Sequence, residues 1–166
     1  NTDPTMLTAF FGSHVISYEP NELLKQMENV SDREVKEKEA CILDFFDTPD
    51  PVSDPISMKL RDEDLKVAAK VSLALDKFVD SNGLNGLAYY YDGADNSSIR
   101  QLMSNLIVGN SLLTARHIPM CGESDLKTLV ALWTVWVSEA VLPNFIRLIS
   151  MTVLFWLGMT VLIISR

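Results

Sequence analysis

The sequence is poor in the residues from which reactive sites are built. Of 166 residues only two are cysteine and two are histidine. Two thiols, Cys41 and Cys121, cannot make the disulfide framework of a small secreted domain. His14 and His117 stand beside no Cys or carboxylate at metal-ligand spacing, which favours structural roles for both. Cys41, between apolar residues of a helix, is expected to be buried. Cys121 has no histidine spaced to activate it as a nucleophile. No P-loop, no G-x-G-x-x-G and no G-x-S-x-G is present. Basic residues are also scarce: 14 Lys and Arg face 22 Asp and Glu, a net charge of −8. That balance excludes the clustered basic surface of a nucleic-acid binder. The first residues show no basic segment followed by an apolar run, so no signal peptide is expected. The chain starts at Asn1 without an initiator Met, which reads as a cut end.

What is present divides sharply. Residues 1–132 hold 12 Lys and Arg against 21 Asp and Glu, whereas residues 133–166 hold one Glu, two Arg and all three tryptophans. Within the latter, residues 148–164 carry no charge and lie between Arg147 and Arg166. Seventeen uncharged residues reach the short limit of a membrane-spanning helix. Thr152, Thr160, Gly158 and several β-branched residues interrupt it, and no linker separates it from the helix before it.

Along the chain, aromatic and β-branched residues at 8–18 predict a β segment. Asn21 is placed to cap a helix over 22–29. Ser31 and Glu34 match a capping box opening a helix to Phe46, with Val35, Ile42, Phe45 and Phe46 on its apolar face. Three prolines make 47–56 a loop. Asp62–Asp80 is the best helix, stopped by Asn82-Gly83. Leu87–Tyr91 and His117–Cys121 read as buried strands, with one helix over Ile99–Ala115 between them. Ser124 can cap a helix beginning at Asp125. This alternation predicts an α/β fold: part of a Rossmann/flavodoxin-like parallel sheet with flanking helices, followed by the apolar tail.

The densest polar cluster is Gly122-Glu-Ser-Asp-Leu-Lys-Thr128, at a strand-to-helix junction where open α/β sheets bind ligands. Glu123 is the candidate to meet a sugar hydroxyl or a metal-bound water. The plainer reading, favoured by spacing alone, is that Ser124 and Asp125 are ordinary N-cap and first-turn residues. Tyr91, nearest the strand end in Tyr89-Tyr90-Tyr91, is the candidate to stack on a sugar ring. Alternate tyrosines face opposite sides, so some of the three belong to the core.

Four strings carry a resemblance: Asp3-Pro-Thr-Met-Leu-Thr-Ala-Phe-Phe-Gly12, Gly86-Leu-Ala-Tyr-Tyr-Tyr91, Leu106-Ile-Val-Gly-Asn-Ser-Leu-Leu-Thr-Ala-Arg116 and Cys121-Gly-Glu-Ser-Asp-Leu-Lys-Thr128. Together they resemble the L-arabinose isomerase and L-fucose isomerase-like family. The Gly-Glu-x-Asp-x-Lys-Thr element is the most specific. The resemblance covers residues 3–132 and implies an internal fragment of a longer cytoplasmic enzyme. It implies interconversion of aldoses and ketoses and a sugar substrate. It implies a Mn²⁺ ion held by carboxylates and histidine, and homo-oligomers with sites at subunit interfaces. A metal of that kind polarises the sugar carbonyl while a carboxylate moves the proton. The family's later segments, Gly-Gly-Ser-Phe-x-Glu and Gly-His-Asp-Gly-Pro, are missing. The metal ligands are therefore expected to be absent and the fragment inactive.

Their absence has an explanation in the genetic code. Residues 133–145 can be back-translated and read one base earlier, taking an A from the last position of the Leu132 codon. The neighbouring frame then permits Met-Asp-Arg-Leu-Gly-Val-Gly-Gly-Ser-Phe-Ala-Glu-Phe. Continuing permits a Gly-His-Asp-Gly-Pro segment. The first base of each recovered codon is a free wobble position; the other two are mostly set. Residues 133–166 are thus expected to be a frameshift-derived tail. The competing reading is an acidic α/β interaction domain with a C-terminal membrane anchor. A third is a stand-alone sugar-binding module.

Overall fold

The computed structural model describes residues 3–48, 52, 60–90 and 97–141. Its first element is a helix, α1 (Pro4–Phe11). Asp3 accepts from the Thr5 N–H at 2.9 Å, Pro4 occupies the first turn, and Gly12 closes the helix in the left-handed region at φ 66°. The β segment expected over 8–18 is therefore not formed: its first four residues are helical, and 12–19 has neither helix nor strand. An Asp-Pro start and a Gly stop outweigh the β preference of the side chains between them.

Helix α2 (Pro20–Glu28) begins at the proline, whose fixed φ suits a first helical position, and Asn21 is not its cap. Helix α3 (Asp32–Phe45) opens on the expected capping box. The Ser31 N–H donates to Glu34 at 2.7 Å, and the Glu34 N–H to the Ser31 hydroxyl at 3.4 Å. Val35 and Ile42, seven residues apart, face inward. Cys41 is rotated about 100° from Ile42 and is exposed, against expectation.

Helix α4 (Asp62–Asn82) is the centre of the molecule, and α2, α3 and a later helix pack on it. Val71, Leu75 and Val79 form one buried stripe, joined by Leu102, Leu106, Leu113 and Met120. Ala69 belongs to a second cluster with Val35, Ile42 and Leu112. The single helix expected over 99–115 is two helices, α5 (Ser97–Ser104) and α6 (Leu106–Ala115). The Asn105 side chain donates to the Gln101 carbonyl at 2.7 Å, and the Ser104 hydroxyl to the Arg100 carbonyl at 2.7 Å. Side chains that take up the preceding carbonyls compete with a regular helix. Gly109 brings α6 onto α4: a Cβ there would lie 2.5 Å from the Leu75 Cδ1 and 3.2 Å from the Ser72 Cα.

Strands β1 (Leu87–Ala88) and β2 (Met120–Cys121) pair in parallel, Leu87 opposite Met120 and Ala88 opposite Cys121. Helix α7 (Leu126–Val141) follows and packs on both. The strands stand where the sequence placed them, and their parallel pairing is as expected. The Rossmann/flavodoxin-like sheet is not formed, however. Among the described residues helices dominate and the sheet has only two strands of two residues each. One crossover makes one parallel pair. A third strand has no source among the described residues, because the β-rich stretch near the N-terminus went to α1 and an irregular segment.

The composition changes after Leu132, within helix α7. The helix ends at Val141. Residues 142–166, including the apolar run, lie outside the described residues.

Candidate functional site

The β2–α7 junction is built by backbone hydrogen bonds from both strands. Leu87 donates to the Pro119 carbonyl and Tyr89 to the Cys121 carbonyl, each at 2.9 Å. The chain then folds back, and the Ser124 N–H donates to the Tyr89 carbonyl at 2.9 Å. This places residues 122–125 at the C-terminal ends of the parallel pair, the ligand-binding edge of open α/β sheets. Gly86 is required there: a Cβ would approach the Leu129 Cδ1 at 3.1 Å and the Pro119 carbonyl oxygen at 3.2 Å.

Two consecutive non-glycine residues, Glu123 and Ser124, hold φ of 55° and 50°. Each left-handed residue costs roughly 1 kcal/mol. The return bonds of the loop maintain them: Asp125 donates to the Gly122 carbonyl at 3.0 Å and Leu126 to the Ser124 carbonyl at 2.9 Å. Glu123 is exposed, and its side chain forms no hydrogen bond or ion pair among the described residues.

The cap of α7 is Asp125, not Ser124. Its carboxylate accepts from the Thr128 N–H at 3.0 Å and from the Thr128 hydroxyl. The hydroxyl first, then the N–H, holds the Asp125 carboxyl below the usual carboxylate range, with a smaller contribution from Lys127. Asp125 and Thr128 are thus spent on each other. Burial pushes the Cys121 thiol up, and the negative charge of Asp125 adds to it. Cys121 is therefore kept as a thiol, the unreactive form.

Of the tyrosines, Tyr89 packs against the core and Tyr90 is exposed. Tyr91, the stacking candidate, lies outside the described residues. The Tyr89 hydroxyl lies near Gly122, 3.6 Å from where a Cβ would stand. Tyr89 was not singled out beforehand, although its place at the end of β1 was the available signal.

His14 and His117 are exposed and are not brought together with carboxylates. His117 sits at φ 61° after α6, with its ring 5.6 Å from that of Trp136. Ile118 and His117 donate to the Leu113 and Thr114 carbonyls at 2.9 and 3.0 Å, closing α6 in a Schellman motif in which histidine takes the usual glycine place. No three His, Cys, Asp or Glu side chains converge to hold a metal ion among the described residues. Among the described residues no donor set for the Mn²⁺ that the resemblance implies is assembled, and no metal-assisted step is assigned.

A groove of about 470 Å³ lies elsewhere, between the first turns of α3 and α4, and is lined by Asp32, Val35, Lys36, Glu39, Asp62, Glu63 and Lys66. It shares no residue with the β2–α7 junction. Among the described residues no helix is long and apolar enough to cross a membrane. No protein-family model, no curated protein and no solved structure matches the chain.

Proposed function

We propose that this chain is a fragment of a metal-dependent aldose–ketose isomerase of the L-arabinose and L-fucose isomerase-like kind, cytoplasmic and inactive as it stands. One observation carries the reading. In the Gly-Glu-x-Asp-x-Lys-Thr element the Asp and Thr are occupied with capping α7, while Glu123 is held outward in a left-handed conformation without a partner. A carboxylate so placed, at the C-terminal ends of parallel strands, suits acceptance of a sugar hydroxyl proton. Residues 133–166 are then the product of a shifted frame, and the rest of the site belongs to the parent enzyme, where the sugar binds and homo-oligomers form.

The coding DNA across codons 130–166 tests this first. A neighbouring frame that encodes a Gly-Gly-Ser-Phe-Ala-Glu-like stretch supports the proposal, and its absence removes it. An aldose-to-ketose assay with added Mn²⁺ should show no turnover by this chain. In the full-length parent enzyme, where the site is complete, Glu123→Gln should lower kcat/KM by about tenfold or more. Robust turnover by the present chain contradicts the proposal.

A further inference from the structure

Gly122 is a glycine where neither backbone conformation nor packing calls for one. Elsewhere among the described residues a reason is visible. Gly12 and Gly83 hold left-handed backbones at φ 66° and 61°. At Gly86 and Gly109 a Cβ would come within 3.1 and 2.5 Å of a neighbouring atom. The φ of Gly122 is not positive. Among the described residues a Cβ there would meet only the Tyr89 hydroxyl oxygen at 3.6 Å and the Tyr89 Cζ at 3.7 Å, ordinary van der Waals distances. An alanine therefore fits without strain. What its methyl group would do is cover the tip of Tyr89.

That tip is a positioned and unused hydrogen-bonding group. The Tyr89 N–H donates to the Cys121 carbonyl and the Tyr89 carbonyl accepts from the Ser124 N–H, each at 2.9 Å. The backbone that carries the ring is thus clamped on both sides. The ring is half-buried and packs against the core cluster that contains Leu102 and Met120. Tyrosines whose rings enter a core ordinarily give the hydroxyl a partner. Here the hydroxyl forms no hydrogen bond among the described residues. It stands against Gly122, in the same bend as Glu123, at the C-terminal ends of the parallel strands.

We propose that the Tyr89 hydroxyl is a sugar-binding group of the β2–α7 junction, and that Gly122 is bare so that the hydroxyl stays open. The substrate class rests on the isomerase reading. The chemistry complements Glu123: an ionised carboxylate only accepts hydrogen bonds, whereas a phenol both donates and accepts. A polyol, each of whose hydroxyls does both, can use the two groups together. A neutral hydroxyl held on a strand end binds substrate and transition state alike, so Tyr89 acts on affinity and not on the chemical step.

The present chain gives the first test. Gly122→Ala should leave its urea midpoint unchanged or raise it, and Tyr89→Phe should leave it unchanged. A clear fall with Gly122→Ala makes the glycine structural, and a clear fall with Tyr89→Phe gives the hydroxyl a structural partner; either overturns the proposal. The second test uses the full-length parent enzyme and the alditol of its substrate, L-arabinitol or L-fucitol, which keeps the hydroxyls and has no carbonyl to isomerise. Tyr89→Phe should weaken alditol binding in isothermal titration calorimetry by about three- to tenfold, the worth of one neutral hydrogen bond. KM for the aldose should rise by a similar factor with kcat little changed. Gly122→Ala should act in the same direction. If both variants bind as the parent does while Glu123→Gln still lowers kcat/KM, the isomerase reading stands and the role of Tyr89 falls. If Glu123→Gln is also without effect, both fall.

Discussion

The helical layer around α4 and the β2–α7 junction are stabilised in opposite ways. In the helical layer the backbone sits in comfortable helical conformations, and stability comes from side chains: Val71, Leu75 and Leu113 are fully or almost fully removed from solvent. Charges are added at its edge. Asp76 accepts from Lys38 at 2.6 Å and from Arg116 at 2.7 Å, tying α3, α4 and the end of α6 together. At the junction the order is reversed. Glu123, Ser124 and Asp125 are exposed, and the chain is held by backbone hydrogen bonds that keep two residues in an unfavourable conformation. Strain of this sort persists only where the surroundings over-determine it, and it concentrates at sites of function. The helical layer is thus held by its side chains and the junction by its backbone.

Substitutions can break this contrast, in descending order of effect. Leu75→Ala strikes the scaffold at its centre and should destabilise the chain by about 2–5 kcal/mol in urea denaturation. Asp76→Ala leaves the Lys38 ammonium, only 16% exposed, without its partner and also releases Arg116. A loss of roughly 1–2 kcal/mol is expected, and Lys38→Met should recover part of it. At the junction the sign turns. Ser124→Gly relieves a residue at φ 50° and should raise the unfolding free energy by roughly 0.5–1 kcal/mol. If Ser124→Gly destabilises instead, the junction is not strained and the contrast fails.

The smallest effect is a pH dependence in the scaffold. The Ser31 hydroxyl and N–H, then Lys77, lower the Glu34 carboxyl from its usual 4.5 to about 2. A carboxyl with a depressed folded pKa stabilises the fold above the unfolded value, so this contribution is complete above about pH 4.5. It fades as pH falls through about 2, where the folded group takes up its proton. Ser31→Ala should flatten that part of an acid titration followed by circular dichroism and should lower stability at neutral pH, where the contribution is complete.

Sequence legibility followed the range of the interactions. The capping box at Ser31, the Gly83 stop of α4 and the positions of β1 and β2 were all readable, because neighbours in the chain decide them. The burial of Cys41 was misjudged, because one residue's rotation on α3 decides it. The break at Asn105 was missed, because side chains that favour and side chains that interrupt a helix are mixed there. In the candidate site Glu123 was legible as the prominent carboxylate of a polar cluster. Its left-handed backbone and the return bond from Ser124 to Tyr89 were not, since they link residues 35 positions apart.

The sequence by itself determined the local punctuation of this protein: caps, stops, the acidic surface and the polar loop after Cys121. Those features follow from contacts within a few residues and from composition. Only the tertiary structure decided that the parallel sheet among the described residues stops at two strands. The physical reason is that a strand exists only when another segment takes up its hydrogen bonds, and no local preference can supply that partner.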